Sequence, residues 1–321
     1  MHMSPAQLIP DTMFQTCLHK EVTITGIGLH SGRFVEVRLC PAPANSGITF
    51  VRTDITDRNN EIQATAENAV ETPLCTRIEN SSGIGVNTIE HFMAAFAGLG
   101  LDNVRVEIDG TEMPILDGSA QQITDLIANA GLVDLGVARQ MLVITKPVRV
   151  ENDKGGFAEL KPSDEHKLSI DAQIDFDDAL IGVQNLSYVS GQNDFTRDLA
   201  AARTFCLYRD VESMRQAGLA RGGSLDNAIV VNDGSLMNKT GLRMNDEFIR
   251  HKVLDSIGDL YLLGMSLAGH MQTSRPGHAL TIRLLKKLLS QPDAYYIQGA
   301  DGSQRHHAQL HVPEMAAAAT A

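Results

Sequence analysis

The segment Asp246-Glu-Phe-Ile-Arg-His251-Lys-Val-Leu-Asp255-Ser-Ile-Gly-Asp259 carries the strongest local chemical signal in the chain. Ile249, Val253, Ile257 and Leu260 recur at helical spacing and predict a long helix over about 246–263 with one apolar stripe. His251, Asp255 and Asp259 stand four apart and line a second stripe on another side. An imidazole and a carboxylate at i and i+4 can share one metal ion; the plainer reading is a solvated face with a His–Asp hydrogen bond. A second signal, Asn87-Thr-Ile-Glu90-His91, opens a predicted helix over about 88–98 whose remainder is almost wholly apolar. Asn87-x-x-Glu90 has the form of a capping box. Yet a Glu-His pair at a buried helix start is costly unless something uses it. His91 with His251 and Asp255 makes three protein ligands and leaves a fourth position for water, the pattern of a catalytic zinc. Glu90, next to one ligand, would then be the base for that water. A third signal is Ser274-Arg-Pro-Gly-His278, where Pro276 and Gly277 turn the chain and His278 begins a last helix over about 278–290. There His278 is either an ordinary first-turn residue or a donor across the metal site.

These residues need elements to hold them. Alternating patterns predict strands at Val22–Thr25 and Phe34–Leu39, the second stopped by Pro41 and Pro43. Gly26-Ile-Gly28-Leu-His30-Ser-Gly32 reads as a turn between them. A strand over Asn103–Ile108 and a helix over about 118–130 follow the first helix. The second half shows strand patterns at Gln140–Val150, Gly156–Leu160 and Leu168–Ile174. Residues 204–232 read as a short helix between extended runs Thr204–Leu207 and Ala228–Val231. The long helix is followed by a strand at about 265–272. Each half thus ends helix, strand, helix after a run of strands. That weak repeat of topology predicts an α+β protein of two similar layers, sheet against helices. The expected domains are 14–138, holding Glu90 and His91, and 139–310, holding His251, Asp255 and His278. The Ala-rich stretch 311–321 is expected as a frayed tail.

With 321 residues the chain is long enough for a sizeable core, and 43% hydrophobic with 21% charged residues is an ordinary globular mixture. A formal net charge of -12 and an aromatic content of 5%, with no Trp, argue against non-specific nucleic-acid binding and leave open a local basic pocket for a small phosphorylated ligand. The cysteines Cys17, Cys40, Cys75 and Cys206 form no Cys-x-x-Cys pair, which argues against a cysteine zinc knuckle and a disulfide framework. Met1–Lys20 shows no secretory pattern, and no apolar run reaches the roughly 18 residues of a membrane helix. The expectation is a cytoplasmic chain without an integral membrane segment.

Taken in order, seven motifs resemble one family. They are Thr88-Ile-Glu-His91, Ala94-Ala-Phe-Ala-Gly-Leu-Gly-Leu-Asp-Asn103, Pro114-Ile-Leu-Asp-Gly-Ser-Ala120, Arg203-Thr-Phe205, Gly222-Gly-Ser224, His251-Lys-Val-Leu-Asp255-Ser-Ile-Gly-Asp259 and Gly277-His-Ala-Leu280. Together they resemble the UDP-3-O-acyl-N-acetylglucosamine deacetylases, zinc amidases of lipid A biosynthesis, over roughly residues 14–310. The resemblance implies two domains, each helices layered on a β-sheet, with the active site between them. It implies one catalytic Zn²⁺ per chain held by His91, His251 and Asp255. Glu90 matches the general base, His278 the catalytic histidine, Asp259 its carboxylate partner and Thr204 a hydroxyl for the oxyanion. Lys252 and Phe205 match residues lining the substrate pocket, and Leu74, Cys75 and Gly223 fall beside them. The insert at about 206–230 corresponds to the hydrophobic passage for the acyl chain, with Leu207, Val211, Met214 and Ala220 as lining candidates. The implied partner is a UDP-sugar lipid that loses acetate, and the implied state is a monomer.

Some positions depart from the pattern. Arg275 stands where a lysine is expected near the diphosphate, keeping charge but changing geometry. Pro73 precedes Leu74 and Cys75 where a less rigid residue is usual. Phe176 is a candidate to stack on uracil. Cys75 either reaches the metal or is a small buried hydrophobe. Apart from the resemblance, two histidines and a carboxylate also suit a non-haem iron enzyme, and a metal-stabilised sugar-lipid binding protein would need no base at Glu90.

Overall fold

A computed structural model describes residues 13–299 and a short strand at 304–305. The tail expected at 311–321 lies outside the described residues, as does the stretch 306–310. Alternating residues build a five-stranded sheet in the order β2 (Val22–Ile27), β3 (Phe34–Pro41), β9 (Val104–Ile108), β4 (Ile48–Arg52), β5 (Glu61–Gln63). In β3 the inward residues Val35, Val37 and Leu39 are buried while Phe34, Glu36 and Pro41 are exposed, the period-two pattern of a one-faced sheet. Small sheets flank it: β6 (Ala69–Val70), β7 (Arg77–Glu79) and β8 (Gly85–Asn87), and the antiparallel pair β1 (Phe14–Leu18) with β10 (Leu132–Ala138). Helices α1 (Glu90–Leu99) and α2 (Gln121–Ala130) complete this half.

The second half forms an eight-stranded sheet. Its strands are β11 (Gln140–Ile144), β12 (Val148–Glu151), β13 (Phe157–Lys161), β14 (Leu168–Asp175), β15 (Val183–Val189), β19 (Ser266–Ser274), β20 (Tyr295–Gly299) and β21 (Gln304–Arg305). Strand β19 is central: it runs parallel to β11 and β14 and antiparallel to β13. Helices α5 (Glu247–Leu260) and α6 (His278–Leu289) pack on this sheet, and α1 packs along α5. A separate sheet, β16 (Phe205–Leu207), β17 (Ile229–Asn232) and β18 (Ser235–Leu236), carries α4 (Tyr208–Gln216); one turn, α3 (Phe195–Asp198), precedes it.

The protein is α+β, and α1-β9-α2 and α5-β19-α6 repeat the expected order. The extended run expected over Gln140–Val150 is two strands, β11 and β12, interrupted around Pro147. Proline lacks the N–H a ladder needs, so one continuous strand there is disfavoured. The second helix begins at Gln121 rather than near 118, because Asp117 accepts from the Ser119 N–H and hydroxyl and Gly118 takes a φ of 83°. The long helix ends at Leu260 and runs into a 3₁₀ turn at Tyr261–Leu263. Among the described residues no helix is long and apolar enough to cross a membrane.

Candidate active site

The start of α1 and the C-terminal part of α5 meet at backbone contact. A Cβ on Gly258 would stand 2.1 Å from the Glu90 carbonyl oxygen, so only glycine lets the helices approach this closely. The approach brings together side chains that are some 160 positions apart in the sequence. His91, His251 and Asp255 each offer a ligand atom, and those atoms all lie within 4.8 Å of one another. Asp255 Oδ1 is 3.3 Å from His251 Nε2 and 3.7 Å from His91 Nε2. The two rings meet edge to face, with centroids 5.0 Å apart.

All three are buried, and Asp255 Oδ1 has no hydrogen-bond partner. A buried carboxylate oxygen without a donor is costly, and a cation between it and two imidazoles removes the cost. The donor set of two nitrogens and one oxygen suits zinc and leaves room for a fourth ligand. His251 Nδ1 donates to the Ala202 carbonyl at 3.0 Å, so Nε2 is the nitrogen turned to the cluster. Burial lowers the pKa of His251 to about 3 and also lowers that of His91, so both rings are neutral, as metal ligation requires. Burial alone would raise Asp255, but the cations beside it, Lys252, whose Nζ donates to Asp255 Oδ2 at 2.8 Å, and His278, hold it well below its usual range.

A second buried cluster adjoins the first. Glu90 Oε2 accepts from the Thr76 N–H at 2.9 Å, and Glu90 Oε1 lies 3.8 Å from His278 Nε2. His278 Nδ1 donates to Asp259 Oδ2 at 2.9 Å. The Thr76 hydroxyl donates to the other Asp259 oxygen and lies 3.0 Å from His278 Nδ1. Burial is the main force on Glu90 and lifts it to about 7. Burial opposes the charged form of His278, yet Asp259 and then Glu90 outweigh it and raise the ring to about 9. A carboxylate lifted toward neutrality beside a ring that stays an imidazolium up to about 9 can serve as a base–acid pair.

The remaining sequence candidates fall at various distances from this centre. Phe205 packs edge-on to His251, Phe248 and Phe176, with Lys252 Nζ 5.6 Å from its ring. Phe176 is therefore half-buried against Phe205. Thr204 is half-buried and donates its N–H to the Gly118 carbonyl. Leu74 is exposed. Cys75 is buried and stands outside the three-residue ligand cluster. Arg275 donates to the Lys154 carbonyl and pairs at 2.6 Å with Asp175, the neighbour of Phe176 in sequence. Leu207 is buried, Val211, Met214, Ala220, Gly222 and Gly223 are half-buried, and α4 has no fully buried residue. Gly222 and Arg221 donate to the Leu29 and His30 carbonyls, which docks the insert on the turn at 28–33.

Two readings are corrected. The helix stripe of His251, Asp255 and Asp259 is not solvated, because α5 is enclosed by α1, α6 and the sheet, and apart from Arg250 and Lys252 its residues are buried. Asn87 and Glu90 do not form a capping box. Ile89 is the residue before the helix, Asn87 accepts from Arg77, and Glu90 is held by Thr76 instead.

Several supporting residues escaped the sequence reading. Thr76 joins Glu90, Asp259 and His278, but an isolated threonine in an aperiodic stretch gives no signal. Glu112, 2% exposed, accepts from the His30 and Ser31 N–H groups and the Thr88 hydroxyl. It thereby supports Thr88, a β-branched residue held at φ 58° just before the helix. Arg203, which precedes Thr204, pairs with Glu247, their side chains 6% and 0% exposed. That pair anchors the residue next to Ala202, whose carbonyl orients His251.

The chain matches the family described as UDP-3-O-acyl N-acetylglycosamine deacetylase over residues 15–290. It is 46% identical over 289 residues to the UDP-3-O-acyl-N-acetylglucosamine deacetylase of Myxococcus xanthus (strain DK1622), covering 90% of each chain. The protein of that name from Anaeromyxobacter sp. (strain Fw109-5) is 44% identical over 304 residues, 94% of this chain and 98% of its own. A third of the same name, from Shewanella frigidimarina (strain NCIMB 400), is 42% identical over 291 residues, 90% and 94% of the two chains.

Proposed function

This chain belongs to the UDP-3-O-acyl-N-acetylglucosamine deacetylase family of lipid A biosynthesis, and from that premise we propose that it is a zinc-dependent hydrolase. It removes acetate from UDP-3-O-(3-hydroxyacyl)-N-acetylglucosamine and leaves the free amine. The observation that carries the reading is the unpartnered Asp255 oxygen between two imidazoles, beside the buried Glu90–His278 pair.

His91, His251 and Asp255 hold the ion. Bound there, zinc supplies Lewis acidity and lowers the pKa of water. Glu90 takes the proton of the attacking water as its carbonyl addition begins. His278, kept protonated by Asp259, donates to the departing sugar nitrogen. The Thr204 hydroxyl donates to the developing oxyanion, and Lys252 adds positive charge nearby. Phe205 and Lys252 wall the pocket, with Leu74, Cys75 and Gly223 at its edges. Arg275 faces the diphosphate and Phe176 the uracil ring. Leu207 and Val211, in the insert at 206–230, receive the acyl chain.

We read residues 14–138 and 139–310 as two domains with the site between them, and the enzyme as a cytoplasmic monomer with one ion per chain. The decisive experiment incubates the purified protein with the UDP-acyl-sugar, with and without a chelator, and measures acetate. Release that a chelator abolishes and zinc restores supports the reading; no release from zinc-loaded protein refutes it.

A further inference from the structure

A cavity of about 510 Å³ lies apart from the metal cluster, between the C-terminal halves of α1 and α5 and the segment 188–197. That volume is within the about 300–1,000 Å³ of small-molecule pockets. None of the candidate site residues lines it. Its floor is apolar, formed by Leu99, Phe195, Ile257 and Leu260. Phe195 is fixed against α1, because a Cβ on Gly98 would stand 2.2 Å from its ring.

Two observations define what fits. Tyr188 lines the cavity and is 6% exposed as a residue, and its hydroxyl is not among the enclosed, unpartnered polar atoms of the described residues, so the exposed part of the side chain includes the hydroxyl end that a ligand would meet. Burial, and then Asp198 and Asp194, raise its pKa, so it stays a neutral donor. The charged residues that line the cavity itself, Asp125, Asp194 and Arg197, sum to an acidic wall that disfavours an anion, and Lys167 stands at its edge beside Gly191. Arg197 is engaged by Asp198 at 2.8 and 2.9 Å, while Asp125 and Asp194 add carboxylates.

We propose that this cavity is a second ligand site, for an uncharged amphiphile with a medium-length hydrocarbon body and a hydroxyl end. The hydrocarbon covers the apolar floor and the hydroxyl meets Tyr188. The site bears on the catalytic centre through its walls, since α1 and α5 carry His91, His251 and Asp255 and end in this cavity.

The test needs no turnover and so stands apart from the deacetylase reading. Full-length protein labelled at its methionine methyls is titrated with 1-decanol and followed by NMR. Met265 lines the cavity, whereas Met214 lies in the insert. The expected result is a saturable shift of Met265 with Met214 unmoved. Tyr188→Phe should weaken binding about three- to tenfold, the worth of one hydrogen bond. Ala128→Phe fills the cavity, and Ser266→Trp, on an exposed rim position, blocks it. Whichever folds as the parent does should lose the Met265 response. Decanoate should bind more weakly than decanol. An unmoved Met265, a response confined to Met214, undiminished binding in a filled variant, or decanoate binding as tightly as decanol would each overturn the proposal.

Discussion

Glu90 and His278 sit 3.8 Å apart with their pKa values drawn to about 7 and about 9. In the proposed mechanism Glu90 accepts a proton only when ionised, so activity should rise as pH passes its pKa. His278 there donates only when protonated, so activity should fall as pH passes about 9. A dication beside Glu90 favours the carboxylate, so the acid limb of the loaded enzyme belongs at or below about 7. Asp259→Asn removes the largest force raising His278 and should move the alkaline limb of kcat/KM to lower pH; His278→Ala should abolish that limb. An alanine variant that kept it would take proton donation away from His278. Glu90→Gln should slow turnover about 10²–10⁴-fold while metal content stays at one ion per chain. Cys75 behaves differently. Burial, and then the Glu90 charge, push its thiol up to about 11. It is protonated at neutral pH and has no nucleophilic task, so Cys75→Ala should keep most of the turnover; a thioester at Cys75 found by mass spectrometry would contradict this.

Helix α5 supplies His251, Lys252, Asp255 and Asp259, and two contacts among its packing on α1, α6 and the sheet can be tested singly. One is Gly258 against the Glu90 carbonyl. Gly258→Ala cannot be absorbed by a flexible side chain, because the neighbour is backbone. It should cost about 1–3 kcal/mol of stability and weaken metal binding as the helices separate, read by urea unfolding and zinc titration. The other contact is Arg203–Glu247. Glu247→Ala leaves a guanidinium buried without its anion and should cost about 3–5 kcal/mol. The insert makes a different prediction. If α4 and β16 hold the acyl chain, each CH₂ contributes up to about 0.8 kcal/mol, so kcat/KM should fall stepwise with shorter chains. Val211→Glu should flatten that series, and a series indifferent to chain length would move the passage elsewhere. The elements were largely legible because helices and strands leave periodic marks, and the metal-ligand candidates because i,i+4 spacing survives in one dimension. The i,i+4 reading could not tell a solvated stripe from an enclosed one, since that depends on α1 and α6 covering α5. Thr76 and Glu112 left no mark, because their importance comes entirely from what the fold brings to them. The form of a capping box at Asn87 and Glu90 misled for the same reason: a distant backbone N–H outcompeted the local one.

At the scale of the molecule, the cluster joins α1 from the first half to α5 from the second, so an ion held there would act as a clasp as well as serve the proposed chemistry. At a thousandfold excess over its dissociation constant, a ligand that binds only the folded chain adds about 4 kcal/mol. A chelator should therefore lower Tm, and added zinc should restore it; an unchanged Tm would mean that the helices hold each other without the ion. The wide spacing of the ligands also has a consequence for how the protein is made. Ribosomes add about 5–20 residues per second, so α1 leaves the exit tunnel many seconds before α5 exists. During that interval the almost wholly apolar surface of α1, with Glu90 and His91 among it, has no native partner. Strand β1 likewise waits for β10, and β11 for β19. The nascent first half thus presents a sticky helix to its surroundings until translation has passed residue 260. Holdase chaperones are the natural cover for such a surface, and a codon-level pause between the two halves would lengthen the exposure.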